Sequence, residues 1–282
     1  MTSMKVTMVC ENTVGTPAGL TGEWGLGMLV EIPGLTVLFD TGAQGALVPN
    51  ARTLGIDLDR VDVVVLSHGH YDHTGGLPAF LRYRRRRLPV VAHPDVFTPR
   101  FIREDGGLRH IGVPFRRVEL ESLGADFQLG AGPRELAPGL FAGGEVPRRL
   151  SFEKGDRRLV LLDGEREKPD PLRDDLSLYA VTPRGLVIIL GCAHAGVANI
   201  VTHAREVTGV ERVHAIIGGT HLGAVDPAQQ EATVDYLRAL DVELLAANHC
   251  TGLPMAAALA RVFRERFRFA PAGSRFVLPF GY

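Results

Sequence analysis

Cysteine, lysine and tryptophan are all scarce in this chain of 282 residues, and the scarcities have consequences. Three cysteines, Cys10, Cys192 and Cys250, stand far apart in the sequence. They are too few and too scattered for a disulfide framework, which excludes a small stapled secreted scaffold and makes a reducing cytoplasm the expected compartment. Lys5, Lys154 and Lys168 are the only lysines among 31 basic residues, a bias we read as the mark of a GC-rich genome. An excess of either charge sign is missing as well. With a formal net charge of −1, the chain has no overall attraction for nucleic acid or an anionic membrane, and neither is expected as a partner. No apolar run approaches the length of a membrane-spanning helix, and the first residues lack a signal-peptide pattern. The apolar content, 45%, can bury the core of one α/β domain, and a single domain over 1–282 is expected.

What is present is concentrated in Ser67-His68-Gly69-His70-Tyr71-Asp72-His73-Thr74-Gly75-Gly76, which follows the apolar run 61–66. That run has the length and β-branched content of a buried strand, so the cluster falls where a strand opens into a loop. Imidazoles with a carboxylate suit a borderline or hard divalent ion: zinc first, with manganese or iron as alternatives. Neighbouring side chains such as Asp72 and His73 do not normally point the same way. Two ions resolve this, His68 and His70 serving one, Asp72 and His73 the other. One loop cannot fill two coordination spheres, so further ligands must come from distant strand ends. His194, His221 and His249 each follow an apolar strand and precede a turn, which places them on the same edge as His68. His93 and His110, inside or beside the irregular interval 94–175, and His203 and His214, on a helix and in a strand, are read as structural.

Strand-like and helix-like runs alternate along most of the chain, as in layered α/β folds. Strands are expected over 5–10, 28–32, 35–39, 61–66, 89–92, 159–162, 176–181, 186–190, 214–217, 243–246 and 276–278. Val197, Ile200, Val201, Ala204 and Val207 recur at helical spacing. Asp226-Pro227 reads as an N-cap and first helical residue, opening a helix to about residue 240, and another helix is expected over 254–266. The interval 94–175 is broken by glycines and reads as an insertion arching over the metal edge, a substrate cap. The arginine run 84–87 reads as a solvated face.

The pattern His-x-His-x-Asp-His between an apolar strand and Thr-Gly-Gly resembles the metallo-β-lactamase superfamily, as does Asp40-Thr41-Gly42 after the strand 35–39. Glu23-Trp24-Gly25-Leu26, Gly144-Glu145-Val146-Pro147-Arg148, Gly191-Cys192-Ala193-His194, Gly219-Thr220-His221 and His249-Cys250-Thr251-Gly252 are similar to one branch of it, the dihydropterin-(ribofuranosyl)aminobenzene-phosphate synthase-like group. The resemblance implies a four-layer αββα sandwich with a metal site at one edge of the two sheets. It implies that His194 joins His68 and His70, and that His249 joins Asp72 and His73. Where most relatives carry an ion-bridging aspartate, this chain has Cys192, which is expected beside the ions as a ligand or close neighbour. His221 is implied as a catalytic or substrate-binding residue.

Asp40 is expected either to fix the tautomer of a ligating imidazole or to serve only its turn. Glu145, Arg148 and Arg149 would suit a phosphate or carboxylate near the ions, with Glu145 and Arg148 taken as substrate-binding. Asp72 and His221 are the candidate proton-handling groups. These readings converge on a dinuclear metal-dependent hydrolase acting on a small anionic, phosphate- or pyrophosphate-bearing substrate; association with a second copy is left open. The branch resemblance implies the alternative, a synthase in which an aminobenzene nitrogen displaces pyrophosphate from a pterin. A di-iron redox protein ranks lower, since no flavodoxin-like domain is appended and Cys192 replaces a carboxylate. A metal-dependent binding protein is the remaining class.

Overall fold

Apolar alternation along the strands decides the layering in the computed structural model, which describes residues 2–17 and 19–281. The first part of the chain forms β1 (Thr2–Cys10), β2 (Gly27–Ile32), β3 (Leu35–Phe39), α1 (Leu47–Thr53), β4 (Val63–Val65), α2 (Tyr71–Thr74), α3 (Leu77–Arg84) and β5 (Leu88–Ala92). The middle contributes β6 (Phe101–Glu104), β7 (Gly107–His110), α4 (Arg117–Ser122), β8 (Ala125–Leu129), β9 (Arg134–Ala137), β10 (Leu140–Ala142), β11 (Leu159–Asp163) and β12 (Arg166–Pro169). The last part adds β13 (Leu178–Thr182), β14 (Gly185–Leu190), α5 (Val197–Thr208), β15 (Val213–Gly219), α6 (Pro227–Ala239), β16 (Leu244–Asn248), α7 (Leu253–Phe263), β17 (Phe267–Phe269) and β18 (Arg275–Phe280).

Two seven-stranded sheets result, in the orders β18-β1-β2-β3-β4-β5-β8 and β17-β16-β15-β14-β13-β10-β9. Val37 and Phe39 of β3 point inward to meet Val187 and Ile189 of β14 in the core between the sheets. Leu38 points the other way, onto Leu47 and Ala51 of α1 and Leu77 and Phe80 of α3. Ile188 and Leu190 likewise face outward, onto Val197, Ile200 and Val201 of α5 and Leu259 of α7. Strands buried on both faces with period-2 alternation therefore specify four layers, αββα, as expected. The expected cap of α6 is present: Asp226 accepts from the Gln229 amide at 2.8 Å, and Pro227 occupies the first turn. The last expected helix stops at Phe263, because the chain reverses at Arg264, with φ 50°, to enter β17.

Strands β3, β4 and β5 run parallel, and so do β14, β15 and β16, so their carboxyl ends open at one edge. The interval 94–175 is divided among three sheets. Its β8 extends the first sandwich sheet and its β9 and β10 extend the second, while β12-β11-β6-β7 form a separate four-stranded sheet. The expected strand 159–162 exists but belongs to this extra sheet. Segments such as β7 and β12 are exposed throughout, and without a buried face they carry no apolar alternation to betray them.

Candidate metal centre and cleft

Loops at the carboxyl ends of five parallel strands supply the site: Asp40 after β3, residues 67–73 after β4, Cys192 and His194 after β14, His221 after β15, and His249 and Cys250 after β16. Carboxyl ends of parallel strands are where α/β sheets present ligand-binding loops. Four of the non-glycine residues with left-handed backbone fall here: Asp40 at φ 59°, Ala193 at 56°, His221 at 53° and His249 at 50°. Such conformations cost of order 1–3 kcal/mol each and cluster at functional sites. The glycines of the central motif have a steric cause. A Cβ on Gly69 would overlap the Val96 carbonyl, and one on Gly75 the Ala43 carbonyl.

Five buried imidazoles converge. His68 and His194 face each other Nε2 to Nε2 at 3.2 Å, and His70 Nδ1 lies 2.9 Å from His68 Nε2. His73 and His249 also oppose Nε2 to Nε2 at 3.2 Å, with Asp72 Oδ2 3.4 Å from the His249 Nε2. Cys192 Sγ is 3.1 Å from His73 Nε2 and shares a ligand-spaced group with each histidine pair. The expected ligands His68, His70, Asp72, His73, His194, His249 and Cys192 are thus brought together.

Tautomers test whether an ion fits. Asp40, fully buried, accepts from His73 Nδ1 at 2.7 Å, from the Ser67 hydroxyl at 2.6 Å and from the Ser67 amide at 2.7 Å. Ser67 Oγ, its proton committed to Asp40, receives His68 Nδ1 at 2.8 Å. His249 Nδ1 donates to Asn12 Oδ1 at 2.9 Å, and that oxygen also accepts from the Gly25 amide at 3.2 Å. His73 and His249 therefore both turn an Nε2 lone pair toward the other, and a cation must stand between them. A proton can serve: burial lowers the His73 ring, but the Asp40 and Asp72 carboxylates outweigh it and push it up to about 9. A divalent ion serves better, since it also satisfies the remaining donors. Burial holds His70 down to about 3 and lowers His68 and His194 strongly, which favours neutral rings with free lone pairs. The donor set fits a divalent ion.

A cleft of about 440 Å³ opens over this cluster. It is lined by His70, Asp72, Cys192, His194 and His249, by Ile102, Glu104, Arg109 and Leu159 from the extra sheet, and by Arg158 in the turn before β11. His221 lies on the cleft side, its ring centroid 4.2 Å from that of His194 and its Nε2 3.6 Å from Asp156 Oδ2. Arg148 and Glu145 do not reach the cleft. The Arg148 guanidinium donates to the carbonyls of His194 at 2.8 Å and Pro171 at 2.9 Å, and Glu145 sits 3.6 Å from His93. The arginines that do line the cleft are Arg109 and Arg158, paired with Glu104 and Asp156.

Asp156, Asn12, Asp174 and Cys250 were not singled out from the sequence. Asp174 accepts from the amide of Gly69, between His68 and His70, at 2.7 Å. Cys250 alone had a visible signal, its place directly after His249. The others reach the site from segments with no periodic pattern.

The family model of the metallo-beta-lactamase superfamily matches residues 25–249. The 7,8-dihydropterin-6-methyl-4-(beta-D-ribofuranosyl)-aminobenzene-5'-phosphate synthase of Methanocaldococcus jannaschii is 30% identical over 280 residues, 96% of this chain and 95% of that protein. Among solved structures, a metal-dependent hydrolase of the beta-lactamase superfamily superposes with a TM-score of 0.82 at 26% identity, covering 97% of this chain and 98% of that one. A diphosphatase of the PhnP family shares the fold, with a TM-score of 0.57 at 15% identity over the full length of both chains.

Proposed function

The chain belongs to the metallo-beta-lactamase superfamily, and from that premise we propose that it is a dinuclear metal-dependent hydrolase of a small phosphate- or pyrophosphate-bearing anion. One observation carries the reading: His73 and His249 oppose Nε2 to Nε2 at 3.2 Å while both Nδ1 atoms donate elsewhere. His68, His70 and His194 would hold one ion, zinc first; Asp72, His73 and His249 would hold the other, with Cys192 between. Ions bound there supply Lewis acidity and offset negative charge on phosphate oxygens.

The chain's own groups do the rest. Asp40 orients His73 directly and His68 through Ser67. Burial lowers the His221 ring, but Asp156 and Cys250 outweigh it and push it up to about 9, so a cationic N–H stands on the cleft wall. In that place it can steady a developing oxyanion or protonate a leaving oxygen. Arg109 and Arg158 are each paired on one side and half-exposed on the other, which leaves guanidinium N–H groups for phosphate oxygens at the rim. Arg148 acts on the backbone, holding the His194 loop by its carbonyl. The sheet β12-β11-β6-β7 serves as the substrate cap. Three free thiols suit a reducing compartment such as the cytoplasm.

A second reading, the synthase, is favoured by the 30% identity to a protein of that name over 96% of this chain. Trp24 adds to it: 59% exposed at the cleft and 5.6 Å from the His249 ring, it offers a face for a flat heterocycle. The same ligand cluster would then serve to hold a pyrophosphate leaving group.

Metal analysis and a substrate panel test both. His70→Ala should lose bound metal and activity while its circular dichroism is kept, because His70 lies outside the core clusters; normal metal content would sink the assignment. Phosphate release without an arylamine identifies the hydrolase. Product formed only when a dihydropterin pyrophosphate and an aminobenzene acceptor are both present identifies the synthase.

A further inference from the structure

Three adjacent parallel strands each deliver a sulfur or imidazole donor just past the carboxyl end. Cys192 stands two residues past β14, His221 two past β15 and Cys250 two past β16. Strands β15 and β16 pair Gly219 with Asn248, which sets His221 level with Cys250, while β14 pairs Leu190 with Gly218, which sets Cys192 one residue short of His221; the three donor atoms all lie within 4.8 Å of one another. Cys192 is shared with both histidine groups, but His221 and Cys250 belong to neither. They are left over once the two-ion reading has taken its ligands.

We propose that Cys192, His221 and Cys250 form a third, thiophilic ion position on the cleft wall, one that takes zinc, cadmium or copper(I) in preference to magnesium or manganese. Two sulfurs and an imidazole are a soft donor set, which selects those ions by ligand type. The pocket is shaped around the sulfur. The His221 amide donates to Cys250 Sγ at 3.3 Å, a contact that steadies a thiolate ligand. Gly219 leaves room for it, since a Cβ there would stand 2.6 Å from Cys250 Sγ. Both His221 ring nitrogens are buried without a hydrogen bond, Asp156 standing off at 3.6 Å. The left-handed backbone of His221, φ 53°, turns its ring to the same point. All three residues line the cleft, so an ion can enter from solvent.

The sulfurs bind as thiolates, and protons they carry go to solvent. The position stands on its own three donors and does not rest on the proposed function.

The test counts cadmium. Protein stripped by chelator is reconstituted with excess Cd²⁺ under anaerobic, reducing conditions and desalted, and the ions per chain are measured by elemental mass spectrometry alongside the ultraviolet sulfur-to-cadmium absorption. Cys250→Ser and His221→Ala should each bind one cadmium fewer than the parent, and Cys250→Ser should lose part of the absorption. His249→Ala/Cys250→Ser should likewise bind one fewer than His249→Ala, which separates this position from the histidine pairs. Equal counts in the parent and Cys250→Ser, or an undiminished absorption, overturn the proposal. If His249→Ala binds as many ions as the parent while the Cys250-dependent ion persists, the two-ion reading fails and the third position stands.

Discussion

Asp40 is the residue on which most of the centre turns. A single buried carboxylate accepts three hydrogen bonds and thereby sets the proton positions of His73 and, through Ser67, of His68. Asp40→Asn keeps the volume but brings an amide N–H to a place where only acceptors are tolerated, so one of those bonds becomes a clash of donors. Ion affinity at the His73 and His249 pair is expected to fall roughly 10–100-fold, with the His68 and His194 pair less affected. Competition against a chromophoric chelator measures this. An unchanged affinity would show that the tautomer of His73 is set by something other than Asp40. A tautomer-fixing place for Asp40 was legible from its position after an apolar strand. That it holds two histidines at once was not, because the route through Ser67 requires β3 and β4 to lie side by side.

The element that ties the extra sheet to the loops of the histidine cluster is the stretch 170–176. Arg100, at the entrance to β6, is buried and bonds both oxygens of Asp170 at 2.7 and 2.6 Å and one oxygen of Asp174 at 2.7 Å. Asp174 then accepts from the Gly69 amide, and Asp175 from the Ala195 amide at 2.8 Å, one in each ligand loop. Replacing Arg100 by Met would leave two buried carboxylates without their cation. Removing one partner of such a pair costs about 3–5 kcal/mol, far more than a surface ion pair contributes. Urea unfolding of Arg100→Met should register that loss, and its bound metal at a fixed free-ion level should fall with it. Native stability in the variant would mean that the network does not hold the cap to the sandwich.

For the whole molecule, acid is the adverse direction at histidines that burial holds neutral. His203 is buried against the Tyr179 hydroxyl at 3.1 Å, and His214 is buried in β15; burial lowers both rings below the usual histidine value. A histidine with a depressed pKa in the folded state binds its proton more readily in the unfolded chain. Its contribution is therefore fully present above about pH 6.5, the unfolded value, and is lost as pH falls through the folded one. Between pH 7 and pH 5 these two rings lower the melting temperature of the metal-free protein, against His73 and His221, whose raised values favour the folded state over the same range. His203→Gln, which cannot titrate, should flatten part of that slope, and parallel melting curves across the range would rule out His203 as a source.

What the sequence determined by itself was whatever is written in contiguous residues. Val37-Leu38-Phe39 and Val187-Ile188-Ile189 alternate their faces and so specify layers, Asp226-Pro227 starts a helix, and His68 to His73 gather metal-type donors within one loop. Those patterns are local, because backbone geometry alone fixes where consecutive side chains point. Tertiary structure decided which distant residues share a place. Arg148 and Arg158 look alike in the sequence, yet Arg148 is spent on two backbone carbonyls and Arg158 lines the cleft. Cys250 and His221 meet only because β15 and β16 pair in parallel without an offset. Strands such as β7 and β12 are short and exposed, so no apolar period marks them, and only their pairing reveals that part of 94–175 belongs to the sandwich and part forms a separate sheet beside the cleft.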